Sequence, residues 1–504
     1  MANQPQVKIP HARKKLMQFC ILRGIIFAMT YVIKDLIAAL NSHRISARQL
    51  VEDCLAAIDA PDGEGQRAFI STYHEQARQQ ADMVDHARKH GWAVPQFAGI
   101  PLSIKDLFDE AGITTKAGSI VLEDAVPATA DAVVVARLKA AGFIVIGRTN
   151  MTEFAFSGLG TNAHYGTPRS PFERDPKNAE AGRVAGGSSS GSAVSSSDQM
   201  AAATIGSDTG GSTRAPAAFC GIVGFKPTTN RIPANGVFPL STSFDAAGPM
   251  GSSVDCCAML DSLMAGGSGQ SEAAFPVKGL RLALPMGYLF DQLDDHVASS
   301  FAHAIDRLSA AGAVIEETSI APIEAMRPSN NAKSIVAAEA YALHRQRLES
   351  DAATQYDPYI AHRLAGGRDI SASDYIDMLA ILKQIWADVQ AVIRHFDALI
   401  LPTSPALPPS LATLDSIDDK TAANARCLRN TSLSNYLDRP TITLPCHAPG
   451  TAPVGLSLIG SRQHDRRLLA IAAGVEAALA AAGQAPPATG NNQPIASGSD
   501  RSAE

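Results

Sequence analysis

Hydrophobic residues along the chain recur with two different periods. Val297, Phe301 and Leu308 are spaced as on one face of a helix, and this pattern stops at Gly312. Other apolar residues form short runs of four or five, which is typical of buried strands. Such runs predict strands at 143–146, 201–205, 280–284, 398–401, 441–444 and 455–459.

Polar residues mark where some of the helices are expected to begin. Ser46, followed three residues later by Gln49, predicts a capping box in front of a helix that carries Leu50 and Leu55. Asp131 predicts the N-terminal cap of a helix that ends near 142. A last helix is predicted over residues 466–480.

The alternation of helical and strand patterns predicts an α/β fold in which helices cover both faces of a sheet. No internal repeat is evident in the sequence. The glycine-rich residues 266–269 are the best candidate for a linker between two parts of the chain.

Composition and charge narrow the class of protein. The 504 residues are 46% hydrophobic, which is enough apolar material for a large core. The net charge is −6 with both signs interspersed, so nothing indicates a nucleic-acid-binding stripe or a membrane-facing basic surface. The seven cysteines are an odd number in a large chain, which favours reduced thiols in a cytoplasm over a disulfide framework.

The two ends of the chain differ from its body. Three basic residues at 13–15 precede an apolar stretch at 16–33, a pattern that is also compatible with a signal peptide. Arg23 interrupts this stretch, which is too short for a transmembrane helix. We interpret residues 1–28 as an extension outside the fold, and we expect the polar residues 486–504 to form a disordered tail.

Two glycine-rich stretches contain the serines that are candidates for catalysis. Ser188 lies in Gly-Gly-Ser-Ser-Ser-Gly (186–191). Ser212 lies 24 residues later, in Gly-Ser-Asp-Thr-Gly-Gly-Ser-Thr-Arg (206–214). A serine hydroxyl is a weak nucleophile until a neighbouring base takes its proton, so this pattern calls for a base elsewhere in the chain.

Lys105 is the candidate base. It follows the apolar residues 100–104 and precedes Leu107 and Phe108, which predicts a short buried strand. Burial disfavours the ammonium form, and a lysine accepts a proton only when it is neutral. The ordinary alternative is a lysine that extends from a strand end into solvent.

The glycines before Ser212 predict an anion-binding turn. Successive backbone N–H groups in such a turn can point into one concavity. The N–H groups of Thr209, Gly210, Gly211 and Ser212 are therefore a candidate oxyanion hole. A simple turn between a strand and a helix is the alternative interpretation.

Other motifs are weaker. Residues 187–191 match Gly-x-Ser-x-Gly, which would make Ser189 the nucleophile of an α/β-hydrolase elbow. However, residues 178–185 do not form the hydrophobic strand that an elbow requires. The sequence contains no phosphate-binding loop, dinucleotide fingerprint or paired metal-ligand motif, so no metal and no cofactor are expected.

Taken together, these stretches resemble the amidase signature family. The similarity runs from about residue 30 to 480. Further family-like segments are Gly-Arg-Thr-Asn-Met-Thr-Glu-Phe at 147–154, Pro-Ala-Ala-Phe-Cys-Gly at 216–221 and Gly-Phe-Lys-Pro-Thr at 224–228. The resemblance implies one large domain, over residues 29–485, with a central mixed sheet between helices.

The resemblance also implies roles for individual residues. Ser212 would be the nucleophile that forms an acyl ester, and Ser188 a bridging serine that follows a cis peptide bond. Lys105 would be the base. Asp208 and Arg214, which flank the nucleophile, would brace its turn.

Three functions remain open at this point. The first is hydrolysis of a small-molecule amide by the chain alone or as a homodimer. The second is the amidase subunit of a tRNA-dependent amidotransferase, although the segment 231–239 lacks the Tyr-Gly expected of such subunits. The third is a scaffold without activity, which an intact set of three catalytic residues disfavours. We expect the substrate pocket to be walled by 114–119, 158–167 and the region around 435–436.

Overall fold

Residues 31–175, 178, 181–327 and 334–482 are described by the structure, a computed structural model of the chain. The predicted extension at 1–28 and the predicted tail at 486–504 lie outside these residues. Both therefore stay predictions.

The described residues form one α/β domain around an 11-stranded mixed sheet. The strands, in chain order, are β1 Phe69–Thr72, β2 Pro101–Lys105, β3 Ile144–Thr149, β4 Ala203–Asp208, β5 Val223–Lys226, β6 Ala246–Gly251, β7 Arg281–Met286, β8 Val314–Ser319, β9 Ala398–Pro402, β10 Thr441–Pro445 and β11 Gly455–Ile459. Their order across the sheet is β1-β3-β2-β4-β6-β5-β10-β11-β9-β7-β8. The predicted fold class is confirmed.

Helices cover the sheet. They are α1 Ile33–Asn41, α2 Ala47–Ile58, α3 Gly65–Ala68, α4 His74–Lys89, α5 Val133–Ala140, α6 Ser190–Ser197, α7 Arg214–Cys220, α8 Val254–Met264, α9 Asp295–Ala310, α10 Ala321–Glu324, α11 Ile335–Leu348, α12 Pro358–Ala365, α13 Ala372–Ile393, α14 Ile417–Leu428, α15 Thr431–Tyr436 and α16 Asp465–Ala482. Short 3-10 turns occur at Ile120–Leu122, Glu153–Ala155, Tyr288–Phe290, Asp351–Gln355 and Leu411–Thr413.

Strand direction divides the sheet into regions. β2 runs parallel to β3 on one side and to β4 on the other. β7 likewise runs parallel to β8 and β9 near the far edge. The strands between these two regions are antiparallel to their neighbours. Because β5 pairs with β10, residues 266–269 connect two parts of one sheet and do not separate two domains.

The apolar runs correctly predicted each of the six strands to within about three residues at either end. The helical pattern around Phe301 is confirmed as α9, which ends at Ala310. The predicted last helix is confirmed as α16. Short uninterrupted apolar runs are informative here because central strands are buried on both faces.

The two predicted helix starts have different outcomes. The Ser46 side chain caps α2 by accepting the Gln49 N–H at 3.0 Å, but the Gln49 amide bonds to Asp53 instead of closing the box. The prediction for Asp131 was wrong, because α5 begins at 133 without a side-chain cap. The Asp131 carboxylate instead accepts from the Ala111 N–H and the Lys139 ammonium, which are contacts that only the folded chain supplies.

The cysteines form no disulfide in the described part of the chain. All six of them there are free, buried thiols.

Within the same residues, no helix is both long and apolar enough to cross a membrane.

Candidate active site

The sheet brings Lys105 and the loop of Ser212 to the same edge. Lys105 is the last residue of β2, and Asp208 is the last residue of the adjacent parallel strand β4. Parallel strands end at one edge of a sheet, which is where open α/β sheets place their ligands. The glycine-rich turn that follows Asp208 therefore begins beside Lys105.

Lys105 is fully buried and donates two hydrogen bonds. Its Nζ lies 2.7 Å from Ser188 Oγ and 2.9 Å from Ser207 Oγ. Burial lowers the pKa of Lys105 to about 7, against the opposing influence of the Asp208 and Asp245 carboxylates, which raise it. A substantial share of the lysine is therefore neutral near pH 7, as a general base requires. The alternative of a solvent-exposed lysine does not apply.

Ser188 lies just before α6 and is fully buried. The Gly187–Ser188 peptide bond is cis. The Ser188 carbonyl accepts the Thr152 N–H at 3.1 Å, which ties the serine loop to the segment after β3. The neighbouring Ser189 hydroxyl instead donates to the Ser207 carbonyl at 3.3 Å.

The elbow interpretation gains no support from the structure. Residues 181–187 form isolated bridges at Arg183 and Val184 and no strand. The Gly-x-Ser-x-Gly match at 187–191 therefore lacks the strand that would present Ser189 as a nucleophile.

The turn before Ser212 is held by Asp208 and Arg214. The two side chains are buried and form an ion pair of 2.8 Å. Asp208 also accepts the Gly211 N–H at 2.9 Å and the Thr213 N–H at 3.1 Å. Burial raises the pKa of Asp208, but the Arg214 charge and its hydrogen bonds outweigh this and hold the pKa well below its usual range.

A second segment of the chain supports the same turn. Arg214 donates to the Thr431 carbonyl at 2.8 Å and to the Asn435 side chain at 2.6 Å. The Thr431 hydroxyl donates to the Gly210 carbonyl at 2.8 Å. α15 therefore helps to fix the turn. Sequence reasoning missed this support because these residues lie more than 200 positions after Ser212.

The candidate oxyanion donors are not equivalent. The Gly211 N–H is already used by Asp208, so it is not free to bind a substrate oxygen. The N–H groups of Thr209, Gly210 and Ser212 have no acceptor among the described residues. These three remain the candidate donors of the turn.

Contact between the two serine loops is made through the backbone. The Ser189 N–H donates to the Ser212 carbonyl at 3.3 Å. Among the described residues, no hydrogen bond joins the Ser188 and Ser212 hydroxyls. The lysine–serine half of the expected relay is thus formed, and the serine–serine half is not.

Asp245 is a site residue that the sequence did not reveal. This nearly buried carboxylate accepts the Thr209 hydroxyl at 2.5 Å and the Leu240 N–H at 2.9 Å. Burial raises the pKa of Asp245 to about 6. The carboxylate therefore ties the start of the turn to the 240–245 loop.

A cavity of about 450 Å³ opens onto Ser212. Thr209 and Gly210 form part of its wall, whereas Lys105 and Ser188 do not line it. Of the predicted walls, Asn435 and Tyr436 line the cavity, but 114–119 and 158–167 do not. The adjacent residues 155–157 lie there instead, together with side chains from α11, α12 and α14.

No cluster of three or more His, Cys, Asp or Glu side chains that could hold a metal ion exists in the described part of the chain.

Comparison with known proteins agrees with the fold. The Amidase family model matches residues 49–469. The chain is 33% identical over 447 residues to the 2-amino-5-chloromuconic acid deaminase of Comamonas testosteroni, an alignment that covers 88% of this chain and 95% of that protein. It is 30% identical over 476 residues to a glutamyl-tRNA(Gln) amidotransferase subunit from Thioalkalivibrio sulfidiphilus (strain HL-EbGR7), covering 87% and 95%.

A solved structure gives the same result. The crystal structure of an amidase superposes with a TM-score of 0.77 at 29% identity, covering 88% of this chain and 99% of that one. The resemblance seen in the sequence is thereby confirmed. The chain belongs to the amidase family and is an enzyme that hydrolyses carbon–nitrogen bonds.

Proposed function

We propose that the chain hydrolyses the amide of a small molecule through a Ser212–Ser188–Lys105 relay and an acyl-enzyme. The observation that carries this proposal is the buried 2.7 Å contact between Lys105 Nζ and Ser188 Oγ, beside the turn that presents Ser212 to the cavity. A buried lysine with a pKa of about 7 has the proton affinity that the role needs.

The first half of the reaction forms the acyl-enzyme. Ser212 Oγ attacks the carbonyl carbon and passes its proton to Ser188, which passes its own proton to neutral Lys105. The carbonyl oxygen becomes an oxyanion that accepts hydrogen bonds from the free N–H groups of the 209–212 turn. For this step the Ser188 and Ser212 hydroxyls must come into hydrogen-bonding contact when the substrate binds.

The second half releases the products. The carbon–nitrogen bond breaks as the proton held by Lys105 returns through Ser188 to the leaving nitrogen, so ammonia or an amine departs. Water then attacks the Ser212 ester, and the same relay takes its proton. The carboxylic acid leaves, and Ser212 regains its hydroxyl proton. Each step is balanced by side chains of the chain and by water.

The cavity favours a small substrate. Its volume of about 450 Å³ suits a compact organic molecule. The name of the deaminase relative likewise refers to a small acid. We further expect the enzyme to work in a cytoplasm, without a cofactor, and as a monomer or homodimer.

An ammonia-release screen tests the proposal. The panel contains aliphatic, aromatic, ureido and amino-acid amides, assayed with the wild-type chain and with Ser212→Ala. Release of ammonia by the wild type alone is expected. Equal release by both proteins would assign the activity to another group.

The amidotransferase relative favours a second candidate function. In that case the chain would use glutamine as its amide and pass ammonia to a partner subunit. Purification from the native cell tests this. Glutaminase activity in a stable complex with a second protein would favour it, whereas an active chain without a partner would exclude it.

A further inference from the structure

The cavity in front of Ser212 is lined by two arginines. Arg363 lies on α12, and Arg429 follows α14 directly. No Asp or Glu lines the cavity among the described residues. The wall therefore carries positive charge without a compensating carboxylate.

Arg363 is held in one orientation while its terminal nitrogens stay free. Its Nε donates to the Phe156 carbonyl at 2.7 Å, and its Cζ lies 4.5 Å from the centre of the Phe156 ring. Neither Nη1 nor Nη2 has a hydrogen-bond acceptor among the described residues. The end of the guanidinium can thus donate two parallel hydrogen bonds to one planar group.

Arg429 supplies charge more than hydrogen bonds. Its Nη2 donates to the Leu289 carbonyl at 3.1 Å and its Nε to the Asn430 side chain at 3.2 Å, which leaves Nη1. Burial lowers the pKa of Arg429, and the charge of the nearby Asp291 offsets this only in part.

Other interior arginines of the described residues are satisfied differently. Four contact a carboxylate within 2.8 Å, in the pairs Arg148–Asp106, Arg169–Glu64, Arg214–Asp208 and Arg231–Asp261. Arg439 has no such partner, but both of its terminal nitrogens donate to neutral oxygens. Most other interior arginines are thus paired with a carboxylate or with neutral oxygens, although both terminal nitrogens of Arg148 lack a hydrogen-bond partner. The cavity arginines differ because no carboxylate of the described residues contacts them and the free end of Arg363 lies at the cavity wall. An acceptor for these N–H groups must come from water or from a ligand that enters the cavity.

We propose that Arg363, aided by the charge of Arg429, binds a carboxylate of the substrate. The substrate class is then small amides that carry a carboxylate in addition to the scissile amide. Planar carboxylate matches the free end of Arg363, and a negative charge is stabilised more strongly in a partly desolvated cavity than in water. This inference rests on the proposed function, because it places the second end of the molecule that Ser212 attacks.

Paired substrates test the inference. The probes are malonamate, succinamate, glutaramate and adipamate, each compared with the neutral primary amide of equal length. Wild type, Arg363→Gln, Arg363→Lys and Arg426→Gln are assayed. Arg426 is the matched control, because it lies on α14, is exposed and does not line the cavity.

The measured quantity is the ratio of kcat/KM for each charged amide to that for its neutral counterpart. We expect the wild type to favour at least one charged amide, and Arg363→Gln to lower the ratio by about 10- to 100-fold, mainly through KM. The ratio for Arg363→Lys is expected to lie between those of the wild type and Arg363→Gln, because lysine keeps the positive charge but lacks the two parallel donors of the guanidinium. Arg426→Gln is expected to keep the wild-type ratio. An unchanged ratio in Arg363→Gln, or a wild type that prefers neutral amides, would overturn the inference.

A binding measurement separates this inference from the proposed function. Succinate and glutarate are titrated calorimetrically into wild type and Arg363→Gln. Binding that depends on Arg363 without any amide turnover would support the anion site and reject the proposed function. Turnover of neutral amides with no Arg363-dependent binding would support the proposed function and reject the anion site. Loss of both would reject both.

Discussion

Lys105 Nζ lies 2.7 Å from Ser188 Oγ, and both residues are fully buried. Neither side chain lines the cavity, which is reached by Ser212 on the adjacent turn. A base in this position is shielded from solvent, so its pKa is set by the protein interior. The pH dependence of the enzyme is therefore expected to report on the ionisation of Lys105 in this buried setting.

The first prediction concerns pH. If neutral Lys105 is the base, kcat/KM rises with pH through an apparent pKa of about 7 and then levels, since the lysine is deprotonated above that value. Lys105→Ala is expected to lose this ascending limb and most of the rate. Lys105→Arg is not expected to restore either, because guanidinium stays protonated.

Lys226→Met is the control for this profile. Lys226, at the end of β5, is the other fully buried lysine among the described residues, and burial lowers its pKa to about 8. Its variant is expected to keep the limb near pH 7 once circular dichroism confirms folding. A limb that moves in Lys226→Met, or that persists in Lys105→Ala, would assign the titration to another group.

The second prediction concerns the three serines. Ser212→Ala is expected to lower kcat by about 10⁴-fold or more, because it removes the acyl acceptor. Ser188→Ala is expected to be severe and Ser189→Ala mild, since of these two serines only Ser188 contacts Lys105. Steady-state kinetics, together with mass spectrometry after a serine-reactive fluorophosphonate, checks this. The reverse order of Ser188 and Ser189 would revive the elbow mechanism.

The third prediction compares two adjacent glycines. Gly211 has a φ of +134°, and an added Cβ would overlap the Thr431 side chain. Gly211→Ala is therefore expected to lower the free energy of unfolding by about 1–3 kcal/mol or more. Gly210→Ala is the matched control, since its Cβ would meet Ser432 Oγ at an ordinary 3.6 Å. Urea unfolding measures both, and equal midpoints would contradict the geometry of the turn.

The fourth prediction concerns the Asp208–Arg214 pair. Arg214→Gln leaves a buried carboxylate without its main partner and is expected to cost about 3–5 kcal/mol. Arg327→Gln, which breaks an exposed ion pair with Asp291, is expected to change the unfolding midpoint little. Chemical denaturation of the two variants beside wild type tests the difference. Similar midpoints for both would mean that the buried pair contributes no more than the surface pair.

The ionisation of Asp208 determines how the stability of the protein changes with pH. Its pKa in the folded protein is depressed, so its stabilising contribution is present above the unfolded-state pKa of about 3.9 and is lost as the pH falls below that value. The stability difference between wild type and Asp208→Asn is expected to shrink from pH 6 to pH 3. A constant difference would show that the charge of Asp208 is not responsible.

The fifth prediction concerns metals. Every proposed catalytic role is filled by a side chain or a backbone group, so activity is expected to survive dialysis against a strong chelator. Assay before and after dialysis measures this. Lost activity that a divalent ion restores would count against the relay.

The amino-acid sequence alone determined the parts of this protein that depend on local pattern. The strands were predicted because each is a short apolar run that is buried on both faces. Lys105, Ser188 and Ser212 were found because glycine-rich turns and a lysine in an apolar strand are visible in a few consecutive residues. The family resemblance then related the three to one another.

Tertiary structure decided how side chains from distant segments meet. Asp131 was predicted to be a cap, but it accepts from Lys139 and from the Ala111 N–H. The Gly211 N–H was an oxyanion candidate, but Asp208 accepts it. Hydrogen-bonding groups choose among all the partners that folding brings near, and sequence spacing does not reveal those partners.

The cavity wall shows most clearly that distant segments meet only in the folded chain. Arg363 lies 151 residues after Ser212, in a helical segment whose own pattern gives no indication of a site. It reaches the cavity because α12 packs near the loop of Phe156, whose carbonyl fixes the guanidinium. The candidate catalytic residues could be named from the sequence because they occupy short motifs. The residues that line the cavity could not, because only long-range packing brings them together.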